Sequence, residues 1–267
     1  MITQPIKFDT EIGGKKIEIK IDNLAEQANG SVSVQIGDTL VMATATMSSQ
    51  DLEDLNFFPL TVDFEEKFYA AGKILGSRFM RREGRPSEEA ILTARLIDRT
   101  IRPLFPTHLK RKVQVIITCF SFDEENDPDI AGLLAASLAL GVSDIPWNGP
   151  IAPIRIGKTN NELIVNPTYE QRKEQDFEIM FTGIEENNEI LVNMIEAQAN
   201  QVSEENILEA IKLGKDNFKK LIDFQKEIIS KNGKQKISSE PESEPKIDEK
   251  IRDLFKEKLE AVLIQSP

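Results

Sequence analysis

The 267-residue sequence contains one cysteine, Cys119, one histidine, His108, and one tryptophan, Trp147. A single cysteine excludes an intrachain disulfide and makes the reducing cytoplasm the expected compartment. One Cys and one His cannot build a Cys/His zinc cage, and they argue against a Cys–His or Ser–His catalytic pair. Long apolar runs are also missing. Nothing approaches the roughly 20 residues that a membrane-spanning helix needs, so no membrane partner is expected. The start, Met1-Ile2-Thr3-Gln4-Pro5, lacks the basic-then-apolar pattern of a secretory signal. Asn29-Gly30-Ser31 has the form of a glycosylation sequon, which carries no weight without secretion. An excess of basic residues is absent too. Lys and Arg number 33 against 45 Asp and Glu, a net charge of -12, which argues against a general nucleic-acid coat.

What is present suits a folded protein. Hydrophobic residues make up 40% and charged residues 29%, enough for a core in one large domain or two small ones. The first half reads as strands. Ile17, Ile19 and Ile21 alternate with charged residues, as do Val32, Val34 and Ile36 with Ser and Gln, and Phe58, Leu60, Val62 and Phe64 repeat the pattern. Leu40 to Thr46 is small and apolar on both faces, as in a buried strand, and Gly37-Asp38 turns Ser31 to Thr46 into a hairpin. A helix is predicted after Pro86, capped by Ser87, favoured by Glu88 and Glu89 and stopped by Pro103. Val113 to Phe122 is a strand and Asp123 to Asp129 an acidic loop. Ile130 to Val142 is a helix apolar nearly all round, hence buried between layers. Short strands follow at 151–156, 162–165, 178–182 and 189–194. The whole is an α+β pattern.

Composition shifts near Asn200. Glu204 to Ile229 is one long helical pattern, Ser230 to Glu249 is Lys/Ser/Glu/Pro-rich and reads as a flexible linker, and Ile251 to Leu263 carries a last apolar stripe with little left to bury it. The expectation is a piece of a longer protein, a frayed terminus being the alternative.

Charge distribution is the most informative feature. From Lys73 to Lys112, eleven basic residues face four acidic ones, so this window carries +7; with -12 for the chain, the rest carries -19. A basic patch in an acidic body draws a polyanion to one place and repels it elsewhere. Arg95, Arg99 and Arg102, spaced four and three apart, share one helical face, and a planar guanidinium suits phosphate. The competing reading is a face that is merely solvated or paired with acids of another element. Upstream, Phe79-Met80-Arg81-Arg82-Glu83-Gly84-Arg85-Pro86 is a loop. An aromatic beside two arginines offers single-stranded nucleic acid a ring to stack on and cations for its backbone. Phe79 as a simple core anchor is the alternative. The acidic loop misses the EF-hand spacing, and Glu170 and Asp176 are weak metal candidates, so no metal ligands are assigned. Cys119 and Trp147 read as core residues and His108 as incidental.

These residues also carry a family resemblance. Phe57-Phe58-Pro59-Leu60-Thr61-Val62, Tyr69-Ala70-Ala71-Gly72-Lys73, Arg81-Arg82-Glu83-Gly84-Arg85-Pro86-Ser87-Glu88 and Arg95-Leu96-Ile97-Asp98-Arg99 resemble bacterial polynucleotide phosphorylases. So do Ile101-Arg102-Pro103-Leu104-Phe105-Pro106, Asn126-Asp127-Pro128-Asp129-Ile130 and Ser143-Asp144-Ile145-Pro146, and the match runs nearly end to end. The resemblance implies an RNase PH-like domain (ribosomal protein S5 domain 2-like) over 1–200, followed by a partial all-α domain over 201–267, with 230–249 flexible. It implies a full-length, ring-shaped homotrimer that degrades single-stranded RNA from the 3′ end. The co-substrate would be inorganic phosphate, the metal Mg2+ or Mn2+, and the products nucleoside diphosphates. RNA-degradosome components would be further partners.

By the same resemblance, the phosphate-binding serines and metal aspartates lie in a second RNase PH-like domain outside this chain. Here the corresponding loop reads Asp127-Pro128-Asp129, of the wrong charge to hold phosphate. No complete catalytic site is expected, and Arg95, Arg99 and Arg102 would support one from a distance. Phe79, Met80, Arg81, Arg82 and Arg85 would be RNA-binding. Three departures stand out: Met80 replaces a second aromatic, Leu75 stands where Pro is usual, and Gly76 to Arg85 is one residue longer, with Arg78 the addition. The alternative is a non-catalytic RNA-binding or assembly subunit of an exosome-like ring.

Overall fold

A computed structural model describes residues 5–21, 24–52, 57–74, 76, 84–159, 162–238, 251 and 255. Five strands precede the first long helix: β1 (Ile6–Ile12), β2 (Lys15–Ile21), β3 (Gly30–Ile36), β4 (Thr39–Met47) and β5 (Leu60–Glu65). Helix α1 (Glu88–Ile101), strand β6 (Val113–Ser121) and helix α2 (Pro128–Val142) follow. Then come β7 (Ala152–Thr159), β8 (Glu162–Val165), the one-turn α3 (Tyr169–Arg172), β9 (Phe177–Glu186), β10 (Glu189–Ala199) and α4 (Glu204–Asn232). The strands form a six-stranded sheet in the order β1-β2-β3-β4-β6-β5, with only β5 and β6 parallel, and an antiparallel four-stranded sheet in the order β10-β9-β7-β8.

The β3–β4 hairpin turns at Gly37-Asp38 as the sequence predicts, with Gly37 at φ +60°, a left-handed conformation that glycine adopts without steric penalty. Strand β4 differs from its expectation. Val41, Ala43 and Ala45 are fully buried while Leu40, Met42 and Thr44 are only half-buried, so one face meets the core. Methyl-sized residues leave room for α2, every residue of which from Asp129 to Val142 is buried. Gly30 admits that helix: a Cβ there would stand 2.1 Å from the Ala139 carbonyl oxygen. The strands expected as short at 178–182 and 189–194 are a long hairpin of 10 and 11 residues. Asn187 and Asn188 turn it with φ of 51° and 65°, the pair of left-handed conformations that tight hairpins require.

Helix α4 lies on β7 and β9 and touches α2, burying Phe218, Leu221, Ile222 and Ile228. Gln225 is wholly buried. It donates to the Ile151 carbonyl at 2.7 Å and accepts from Ser137 Oγ at 2.7 Å, so one amide ties α4 to α2 and the start of the second sheet. The compact unit therefore continues past residue 200, to Ile237. Lys234, Lys236 and Ile237, within the segment expected to be a flexible linker, are bonded to the end of α2 and the residues just after it. Lys234 N–H donates to the Val142 carbonyl, Ile237 N–H to the Asp144 carbonyl, and Lys236 Nζ to the Leu140 and Ser143 carbonyls. The rest of that segment, 239–249, and all of the last stripe but Ile251 and Phe255 lie outside the described residues. Among the described residues no helix is long and apolar enough to cross a membrane.

Candidate nucleic-acid interface

Helix α1 starts as its sequence dictates. Ser87 Oγ accepts from Ala90 N–H at 3.0 Å and donates to Glu66 Oε2 at 2.6 Å, while Glu88 and Glu89 occupy the first turn. Its last carbonyls are satisfied from outside: Trp147 Nε1 donates to Ile101 at 3.1 Å and Asn193 Nδ2 to Thr100 at 2.8 Å. Trp147 is thus a buried core residue, as expected, and so is Cys119, whose thiol burial pushes up to about 11. Ala90, Leu96, Ile97 and Ile101 bury one side of the helix.

The opposite side carries the arginines, and the three do not behave alike. Arg95 is exposed and has no ion pair among the described residues. Arg99 is also exposed, with Nη2 2.6 Å from Glu196 Oε2 of β10 and 3.4 Å from Met194 Sδ. Arg102 grips Asp98 with two hydrogen bonds, of 2.9 and 2.6 Å, and donates to the carbonyls of Phe58 and Leu60 at 3.3 and 3.2 Å. Its fork is occupied in fastening the end of α1 to the start of β5. The solvent-facing cations of the helix are therefore Arg95 and Arg99. Leu92, 65% exposed, lies one turn before Arg95, and Ile91 beside it is 47% exposed, so an apolar shoulder borders the arginines. Arg85 is exposed ahead of the helix. Phe79, Met80, Arg81 and Arg82 lie outside the described residues.

The acidic loop is internally bonded. Asp123 accepts from the backbone N–H groups of Asp38, Glu125 and Asn126, from Thr39 Oγ1 and from Asn126 Nδ2. Burial opposes its ionisation, but these donors outweigh it and hold the carboxyl far below the usual range. At the N-terminus of α2, Asp127 caps the helix, and Asp127, Asp129 and Glu178 surround Arg155. Arg172 adds contacts of 2.5 Å to Asp127 and 2.6 Å to Glu178, its guanidinium lying 5.1 Å from the centre of the Tyr169 ring. A free helix N-terminus attracts anions, but this one is already occupied by its own carboxylates. Arg155, Arg172 and Glu178 are not singled out by the sequence. The available signal is Arg155 itself, a charge in the apolar strand Ile151 to Ile156, which requires buried partners.

Mg2+ or Mn2+ is implied by the resemblance. Among the described residues no three Asp, Glu, His or Cys side chains converge to hold a metal, and Glu170 pairs with Lys173 at 2.5 Å. The described residues do not fit such an ion.

A six-stranded sheet, a second four-stranded sheet and a helix buried against both are an RNase PH-like fold. The model of the 3′ exoribonuclease family, domain 1, matches residues 13–146, and that of domain 2 matches residues 149–217. The chain belongs to the 3′ exoribonuclease family. The first match takes in most of the six-stranded sheet with α1 and α2, the second the four-stranded sheet and the start of α4. The chain is 51% identical over 231 residues to a polyribonucleotide nucleotidyltransferase of Exiguobacterium sibiricum, covering 86% of this chain and 30% of that protein. It is 46% identical over 253 residues to that of Oceanobacillus iheyensis, covering 94% and 35%. The chain thus spans about a third of the length of the curated relatives it matches. Two solved structures share the fold. Rice Rrp46 has a TM-score of 0.63 at 14% identity, covering 86% of this chain and 96% of that one. A chain of the Archaeoglobus fulgidus exosome with RNA bound to the active site has a TM-score of 0.57 at 21% identity, covering 81% and 88%.

Proposed function

We propose that this chain is the RNA-guiding, ring-building N-terminal part of a phosphorolytic 3′–5′ exoribonuclease of the polyribonucleotide nucleotidyltransferase type. One observation carries this reading. Arg95 and Arg99 face solvent on α1, whereas the anion-attracting N-terminus of α2 is filled by Asp127 and Asp129. RNA phosphates have a place to bind on α1, and inorganic phosphate has none at α2. Arg81, Arg82 and Arg85 extend the basic track, Phe79 supplies the ring on which a base stacks, and Met80 adds a further RNA contact where a second aromatic is usual. Arg102 acts by fixing α1 against β5.

In the complete protein, the first RNase PH-like domain, expected over 1–200, takes in α4 as well, and a helical domain begins beyond it. The assembled form is a cytoplasmic homotrimer, with RNA-degradosome proteins as further partners. Sequence outside this chain holds the inorganic phosphate and the Mg2+ or Mn2+ that support attack on the 3′-terminal phosphodiester and release of nucleoside diphosphates. The identities of 46–51% to polyribonucleotide nucleotidyltransferases support this over a silent exosome-like subunit, whose likeness is one of fold alone.

The test is release of nucleoside diphosphates from poly(A) in phosphate and Mg2+. This chain alone is expected to release none. Robust, dose-dependent release by a clean preparation overturns the assignment.

A further inference from the structure

The charge cluster at the start of α2 plays no part in the arginine face, and its balance is unusual. Three carboxyl groups, Asp127, Asp129 and Glu178, meet two guanidinium groups, Arg155 and Arg172, and all but Arg172 have side chains no more than 14% exposed. Asp129 Oδ2 is taken by Arg155, while Asp129 Oδ1 is buried with no hydrogen-bond partner. Asp127 Oδ2 and Asp129 Oδ2 both contact Arg155 Nη2, which holds the two carboxyl groups side by side. Two ionised carboxylates cannot bond to one another, because each only accepts. A carboxylic acid beside a carboxylate can, through its O–H. The orphan oxygen is therefore the mark of a missing proton donor.

Among the described residues no cation pairs with that oxygen, although Arg155 Nε is likewise buried without a hydrogen-bond partner. Lys15, from the β1–β2 hairpin, donates to Asn126 Oδ1 at 2.7 Å. Glu178 of β9 is engaged by Arg155, Arg172 and Gln175, which outweigh its burial and keep it ionised. Tyr169 of α3 is held neutral by burial first and by the charge of Asp127.

We propose that Asp127 and Asp129 form a buried proton-binding site that holds one proton between them at neutral pH, carried on Asp129. The proton removes the excess negative charge and satisfies the orphan oxygen in one step. Electrostatics agree in direction. Burial first, and then the charge of Asp127, push the Asp129 carboxyl up to about 8. At Asp127 burial is outweighed by Arg155, by the hydrogen bond from Asp129 and by Arg172, so that it stays ionised.

The native state then binds a proton that the unfolded chain releases near pH 4. The stabilisation from this site is complete below that pH and is lost as pH rises through about 8. Asp129→Asn keeps an oxygen for Arg155 and an N–H for Asp127 but cannot titrate. Infrared spectra of the full 267-residue chain and of Asp129→Asn are recorded at pH 6.5 and 9.5, with urea unfolding across pH 5–9. At pH 6.5 wild type should show a protonated-carboxyl band that fades at pH 9.5 and is absent from the variant. The unfolding constant of wild type relative to the variant should rise with pH between 5 and 7.5, approaching tenfold per unit. If the variant does not fold, the wild-type band and its loss at high pH decide alone. The absence of the band from wild type at pH 6.5, its persistence in Asp129→Asn, or a flat unfolding ratio overturns the proposal.

Discussion

Arg99 Nη2 stands 2.6 Å from Glu196 Oε2, an ion pair in which both side chains are more than half exposed, 55% and 60%. The carboxylate occupies the place that a phosphate would take on the outward face of α1. Such exposed pairs are weak, roughly 0.2–1 kcal/mol, so under the proposed function RNA would displace Glu196 in competition with it. Glu196→Gln is therefore expected to raise affinity for single-stranded RNA about two- to fivefold, read by fluorescence anisotropy. In an Arg99→Ala background the same change should do nothing. An equal gain with and without Arg99 would mean that Glu196 acts only through general charge.

Arg102 separates from its neighbours on α1. Losing its two bonds to Asp98 and those to the Phe58 and Leu60 carbonyls should destabilise the fold, by about 1–2 kcal/mol after allowance for a side chain 41% exposed. Urea denaturation of Arg102→Ala measures this. Arg95→Ala should leave stability within about 0.5 kcal/mol of wild type.

Much of this is legible in the sequence because it is local. Ser87 before Glu88 and Glu89 fixes the start of α1, Gly37-Asp38 fixes a hairpin, and the apolar run 130–142 fixes a helix with no solvent face. What escapes depends on partners distant in the chain. The spacing of Arg95, Arg99 and Arg102 gives one face but cannot show that Arg102 reaches the carbonyls of residues some forty positions earlier. Strand β1 is not among the strands read from the sequence, although Ile6, Phe8 and Ile12 alternate with Lys7, Asp9 and Glu11 just as in β2, with which it pairs. The Asp127–Arg155–Glu178 cluster joins three elements, so Arg155 in its apolar strand signals buried partners without saying which, and Asp127 and Glu178 alone look like surface residues.

Arg155 is the cation on which that cluster depends. Arg155→Met leaves buried carboxylates with only Arg172 to oppose them, and should cost about 3–5 kcal/mol in urea denaturation at pH 7. A cost below about 1 kcal/mol would show that water or Arg172 replaces it.

Lys236 gives a second pH dependence. Its ammonium donates to the Leu140 and Ser143 carbonyls at the end of α2, where a cation is favoured, yet burial pulls its pKa down to about 8. The unfolded chain, with an ordinary value of 10.5, binds more protons than the native one between these limits. This lysine's contribution to stability should therefore rise as pH goes from about 8 to 10.5. Subtracting the urea stability curve of Lys236→Met from that of wild type isolates the rise, and a flat difference would contradict it.

The most direct measurement is a salt titration of single-stranded RNA binding to the full-length assembled protein. Three proteins are compared: wild type, Arg95→Ala/Arg99→Ala and Phe79→Ala. Removing one cation that neutralises an RNA phosphate should lower the log–log salt slope by about 0.7, so the double arginine variant should bind more weakly to all sequences with a slope reduced by about 1.4. Phe79→Ala should lose roughly 1–3 kcal/mol of stacking with the slope unchanged. If the arginine variant keeps the affinity and slope of wild type, α1 does not guide RNA.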